Sequence, residues 1–149
     1  MLVVASAAMM GADLAGHTLT RDGDLVRVVF RGPLTLADAE GLRVRVNEAL
    51  AGGGHCYLLI DMRALTEMQA DARRAIGEWG RTADRHISGA AIYGASFALR
   101  VLTTLMLNAV RVLARQDLVV HFARDEAASL AWLAWRRQQL ARDEAARGG

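Results

Sequence analysis

The residues that could do chemistry are few, and they are scattered along the chain. Ser96 stands in Gly94-Ala95-Ser96-Phe97-Ala98, between a strand-like run and a long apolar helical pattern. A serine nucleophile on a G-x-S-x-G elbow occupies such a turn, where a sharp backbone bend exposes the hydroxyl. Here Ala98 replaces the second glycine, and neither a partner base nor an oxyanion-hole motif can be assigned. Ser96 therefore reads as the N-cap of the following helix, and an esterase is the weakest functional class. That helix start could also hold an anion, with Arg100 one turn in, although a solvated arginine is the plainer reading. Asp61 closes the apolar run 56–60 (CYLLI) at the carboxyl end of an expected strand, the edge where open α/β sheets take ligands. With Arg63, Ser96 and Arg100 it marks a candidate ligand or partner edge; alone, it reads as an aspartate bonding the backbone of its own turn.

The other candidates carry less. His17, His55, His86 and His121 fall on four different elements without zinc-ligand spacing, and read as structural or solvated. Gly52-Gly53-Gly54 precedes a strand, whereas a phosphate loop follows one, and no Lys comes after it. Cys56 is the single cysteine, which excludes an internal disulfide and suits a reducing cytosol. No metal, no cofactor and no enzymatic activity are expected, and the expected location is cytoplasmic.

The elements that must position these residues follow from patterning. The chain has 149 residues, 53% of them hydrophobic, which is enough for one domain with a real core. Its net charge of +2 comes from 18 basic residues, all Arg, against 16 acidic ones. The two signs interleave, as in DARR (71–74) and RDEAAR (142–147), so no basic patch points to nucleic acid. Residues 1–10 are apolar but lack the basic start of a secretory signal. The stretch 95–114 carries Arg100 and Arg111, each costing about 2.5–3.5 kcal/mol at a bilayer centre, so it is not a membrane span.

Two apolar runs around Arg21-Asp22-Gly23-Asp24 predict a hairpin, and Pro33 a turn. Thr35 with Asp38 predicts a capped helix over Leu36–Leu50. A short strand at 56–60, a helix at 69–85, a strand at 87–93, a helix at 96–115, a strand at 118–122 and a helix at 125–145 complete the order. The expected fold class is α/β, a mainly parallel sheet of about five strands with an N-terminal hairpin and about four helices. The expected domain spans 16–146, with tails at 1–15 and 147–149.

This order, with GDLVRVVFRGPLT before a helix, LLIDMRAL before ADARRAIGEW, GAAIYG before a long apolar helix, and VVHFARDEAASLAWL, resembles the SpoIIAA-like group, relatives of the STAS domain and more distantly of the Sec14 fold. The resemblance covers roughly residues 16–140. It implies a superhelical βα arrangement and a bacterial regulatory binding module. It also implies a switch serine at the helix start after the LLID strand, often within D-S-S-G. Here that stretch reads TEMQADAR from Thr66 to Arg73, without a serine.

The last two helices carry more apolar surface than one sheet face needs. The third is apolar nearly all round, and in the fourth Leu130, Leu133 and Leu140 lie opposite Trp132 and Trp135. A second buried surface is expected, a homodimer interface using Trp132, Trp135, Leu105, Ala109 and Val112, with the two helices side by side. The alternative is a cavity for a small apolar, lipid-like ligand. Because the switch serine is missing, phosphoproteomic mapping is expected to find no phosphate between residues 66 and 71. Phosphate on Thr66 together with altered partner binding would contradict this.

Overall fold

The computed structural model describes residues 14–82, 87–114 and 119–148. Strand β1 (Thr18–Asp22) turns at Gly23, whose φ of 60° suits the tight bend, into β2 (Leu25–Leu34). Helix α1 (Leu36–Ala51) follows, then β3 (Tyr57–Met68), α2 (Ala70–Thr82), β4 (Gly89–Tyr93), α3 (Phe97–Ala114), β5 (Val120–Ala123) and α4 (Glu126–Gly148). The five strands stand in chain order in one sheet; β1 runs antiparallel to β2 and all other pairs are parallel. Helices α1, α2 and α3 pack side by side on one face. Helix α4 covers the other, against β3, β4 and β5.

Period-2 alternation divides the strands between these faces. Val26, Val28, Phe30, Leu58, Met62, Ala90 and Ile92 enter the core under α1–α3. Tyr57, Leu59, Ala91 and Tyr93 meet Leu133 of α4 on the other side. Helix α1 starts with the expected capping box: the Asp38 amide donates to Thr35 Oγ1, and the Thr35 amide to Asp38 Oδ2, each at 3.2 Å. Buried His17 ties this region to β2. Its Nδ1 accepts from the Arg31 amide at 3.0 Å, and its Nε2 lies 3.0 Å from the Pro33 carbonyl and 3.3 Å from Asp38 Oδ2.

Four expectations change. The strand after Cys56 does not stop at Asp61 but runs to Met68, because β2 is long enough to pair with it through Leu34. Pro33 lies inside β2 rather than in a turn; the register shifts between Gly32 and Pro33, and such a bulge accommodates a residue without an N–H. Helices α3 and α4 are not side by side, since the sheet separates them. The tail boundaries also move: Leu14 is fully buried and α4 continues to Gly148. The expected ends of the second and third helices and the start of the last strand fall at 83–86 and 115–118, outside the described residues, as do residues 1–13 and His86.

Leu14 seats against α1 where Gly41 has no side chain; a Cβ there would stand 2.7 Å from Leu14 Cδ2. Leu14→Ala should therefore lower unfolding free energy by about 2–5 kcal/mol, as for other buried leucines. Urea denaturation measures it, and a change below about 1 kcal/mol would show that Leu14 does not belong to the core.

Candidate functional site

Asp61 and Arg63 meet at the carboxyl edge of β3, on the α4 side of the sheet. Two residues apart on an extended strand, they share a face. The buried Asp61 carboxylate accepts the Arg63 amide at 2.9 Å and the guanidinium through Nε at 3.1 Å and Nη2 at 2.8 Å. The guanidinium also lies 5.4 Å above the Tyr93 ring of the neighbouring strand. Its stem crosses Gly94, where a Cβ would come within 2.2 Å of Arg63 Cγ. Gly94, with φ of 77°, is thus needed for Arg63 to pass, not for a nucleophile elbow.

The electrostatics follow from this pairing. The Arg63 hydrogen bond holds the Asp61 carboxyl below its ordinary range, against the opposing effect of burial. Burial, and then the Asp61 charge, push the Tyr93 phenol up. An aspartate held as an anion by a charged donor is a poor general base at neutral pH. Asp61 does bond a backbone amide two residues on, as expected of it alone, but from inside a strand.

Ser96 and Arg100 belong to the opposite face. Ser96 Oγ accepts the Leu99 amide at 3.2 Å and so caps α3. Arg100 lies 5.3 Å over the Phe122 ring, which packs in the α1–α3 core. The sheet edge thus carries two separate pairs, Asp61 with Arg63 and Ser96 with Arg100.

The expected interface residues are also divided. Trp132 is half-buried: it stacks on His121 with ring centroids 5.1 Å apart and covers Gly89. It shares its cluster with Leu133 and Leu140, so the Leu and Trp sides of α4 both reach the sheet. Trp135 tilts against Trp132 at 6.1 Å and stays 53% exposed. On α3, Leu99 and Thr103 face the sheet, while Phe97, Val101 and Leu105 form an outward stripe exposed by 83%, 44% and 61%. Ala109 continues the exposed side of this helix. The Val112 side chain lies outside the described residues. Sequence reading overlooked Phe97 and Val101 as surface residues, although their spacing of four with Leu105 was visible.

No loop separates β3 from α2 at the expected switch position. The strand ends at Met68, Gln69 donates its amide to Leu34 O, and the helix starts at Ala70. Among the described residues, no helix is long and apolar enough to cross a membrane, and no group of three metal-ligating side chains forms.

A chain-ordered sheet with one antiparallel edge, three helices on one face and one on the other defines a SpoIIAA-type α/β domain. The chain belongs to the SpoIIAA-like family, whose model matches residues 25–134. Its fold is similar to that of an uncharacterised DUF3478-family protein from Shewanella loihica PV-4. That match has 22% identity and a TM-score of 0.58, and covers 79% of this chain and 92% of the other. It is also similar to the anti-sigma factor antagonist SpoIIAA in its unphosphorylated form, at 14% identity and a TM-score of 0.52, covering 76% of this chain and 94% of that one. No curated protein matches the chain in sequence.

The depressed carboxyl of Asp61 sets a pH dependence. Its stabilising effect is complete above the unfolded value near 4 and is lost as pH falls towards the lower folded value. Asp61→Asn should melt below wild type at pH 7, with the gap closing as the pH is lowered below about 4. Thermal melts from pH 7 to pH 3 check this; a constant gap would remove the charge from the account.

Proposed function

We propose that this chain is a regulatory docking module of the bacterial cytoplasm that acts by binding protein surfaces, first a second copy of itself, rather than by turnover. The α3 stripe carries the reading: Phe97, Val101 and Leu105 stand in solvent on one side of one helix. Monomeric proteins seldom leave a contiguous apolar patch of more than a few hundred Å² uncovered. A buried aromatic ring hides about 150–250 Å², and a two-fold contact uses each side chain twice. Leu105 and Ala109 of the expected interface lie on this helix, whereas Trp135 forms a separate exposed patch behind the sheet. The family supports the class of function: SpoIIAA, similar in fold, is an anti-sigma factor antagonist.

Sedimentation velocity at tens of micromolar should show a dimer. Leu105→Glu should shift it to monomer with little change in melting temperature, because Leu105 does not pack in the core. Trp135→Glu should leave the dimer intact. A monomeric wild type overturns self-association, and dissociation by Trp135→Glu alone moves the contact to α4. Native mass spectrometry of the same sample separates this reading from the apolar-ligand carrier, which would add a discrete mass per chain.

A further inference from the structure

The partner base that Ser96 lacks stands beside a different serine, Ser88, at the opposite end of the sheet. His55 lies just before β3, Ser88 just before β4, and Glu144 on the last turns of α4. The His55 ring bridges them: Nδ1 is 2.9 Å from Ser88 Oγ, and Nε2 is 2.5 Å from Glu144 Oε1. One assignment of protons satisfies the chain throughout. Glu144, an acceptor when ionised, takes Nε2–H and so leaves the Nδ1 lone pair facing the serine. Ser88 Oγ–H donates to Nδ1, while Ser88 Oγ accepts the Cys56 amide at 3.3 Å. The serine is also held through its backbone. Its amide donates to Cys56 O at 2.7 Å, and its carbonyl accepts Arg136 Nε at 3.0 Å.

We propose that Ser88 is an activated nucleophile, with His55 as its base and Glu144 as the residue that orients His55, and that it accepts acyl groups from activated acyl donors. A hydroxyl bonded to an imidazole that is itself oriented by a carboxylate is the arrangement that nucleophilic serines require, and it is recognised by geometry rather than by chain order. The Cys56 amide, already aimed at Oγ, stabilises charge that develops there as the proton leaves. His55 is well exposed and Ser88 only half-buried, so a small ester reaches them from solvent. The neighbouring thiol does not compete: Cys56 is buried, and burial pushes its ionisation up.

In the reaction, Ser88 Oγ attacks the acyl carbon and its proton passes to His55 Nδ1. The bond from that carbon to the leaving oxygen breaks, and the alkoxide or phenolate departs with the electron pair. The product is an acyl-serine, and the imidazolium returns its proton to the leaving group or to water.

The inference does not rest on self-association. The full chain is exposed to p-nitrophenyl acetate, with release of nitrophenolate followed by absorbance and the adduct located by peptide mass mapping. The chain contains no lysine, which removes the usual background of side-chain amine acylation. The expected result is a burst of one nitrophenolate per chain and one acetyl group on Ser88. Ser88→Ala should abolish the adduct, and His55→Ala should slow it at least ~100-fold, the scale of a positioned general base. His55→Gln serves as a second variant if His55→Ala perturbs folding, which circular dichroism reports. Glu144→Gln should slow acylation several-fold and Glu144→Asp restore part of it, with the melting temperature unchanged in both. Acetyl groups found elsewhere, no stable adduct, or equal labelling of wild type and His55→Ala would each overturn the proposal.

Discussion

Coverage of the second sheet face is the constraint on which the rest of this structure depends. With strands in chain order and three successive crossovers on one side, α1, α2 and α3 all go to the same face. The other is left to whatever follows β5. A helix with side chains is about 10 Å wide, and parallel strands lie about 4.8 Å apart. One helix therefore hides two or three strands, not five. Helix α4 lies over β3, β4 and β5, and β2 is left half-covered on that side, with Leu25, Arg27 and Val29 only partly buried.

The residues under α4 answer this geometry. Gly89 and Ala91 keep β4 small on this face, and Trp132 and Arg136 approach Gly89 closely enough that a Cβ would stand 3.0 Å from Arg136 Cγ. Where the helix cannot reach, ion pairs extend its hold: Arg27 to Glu126 near its start, and Arg137 to Asp24 at 2.9 Å further on. Arg137 also covers the Tyr57 ring at 4.8 Å. Such exposed pairs contribute little individually, so Leu133, Trp132 and the two tyrosines carry most of the docking.

Because α4 has 23 residues, about 34 Å of helix, it spans the sheet from one strand edge to the other. Its first turn stands near the Asp61–Arg63–Tyr93 cluster at the carboxyl edge, where Glu126 adds to the charge felt by Tyr93. Its last turns bring Glu144 to His55 and Ser88 at the amino edge. One helix thus contributes to both polar ends of the sheet, while the apolar stripe on α3 faces away from either.

Local physics made much of this legible in the amino-acid order. The Thr35–Asp38 box, the Gly23 turn, the apolar spacing of α1 and the alternation of strand and helix depend on neighbours within a few residues, and each could be read directly. The resemblance to the SpoIIAA-like group rested on the same ordered signals. Pairing partners were not legible. That β3 passes Asp61 depends on β2 being long enough to receive it, and that Pro33 sits in a bulge depends on the same pairing. The side of the sheet that α4 takes separates two helices that looked adjacent. Ser88, His55 and Glu144 carry no shared spacing, being 33 and 89 residues apart, and only the sheet and α4 together bring them within hydrogen-bonding distance. Periodicity and capping are set over one or two turns of chain, whereas register, layer and long-range side-chain contact are settled when distant segments compete for the same buried surface.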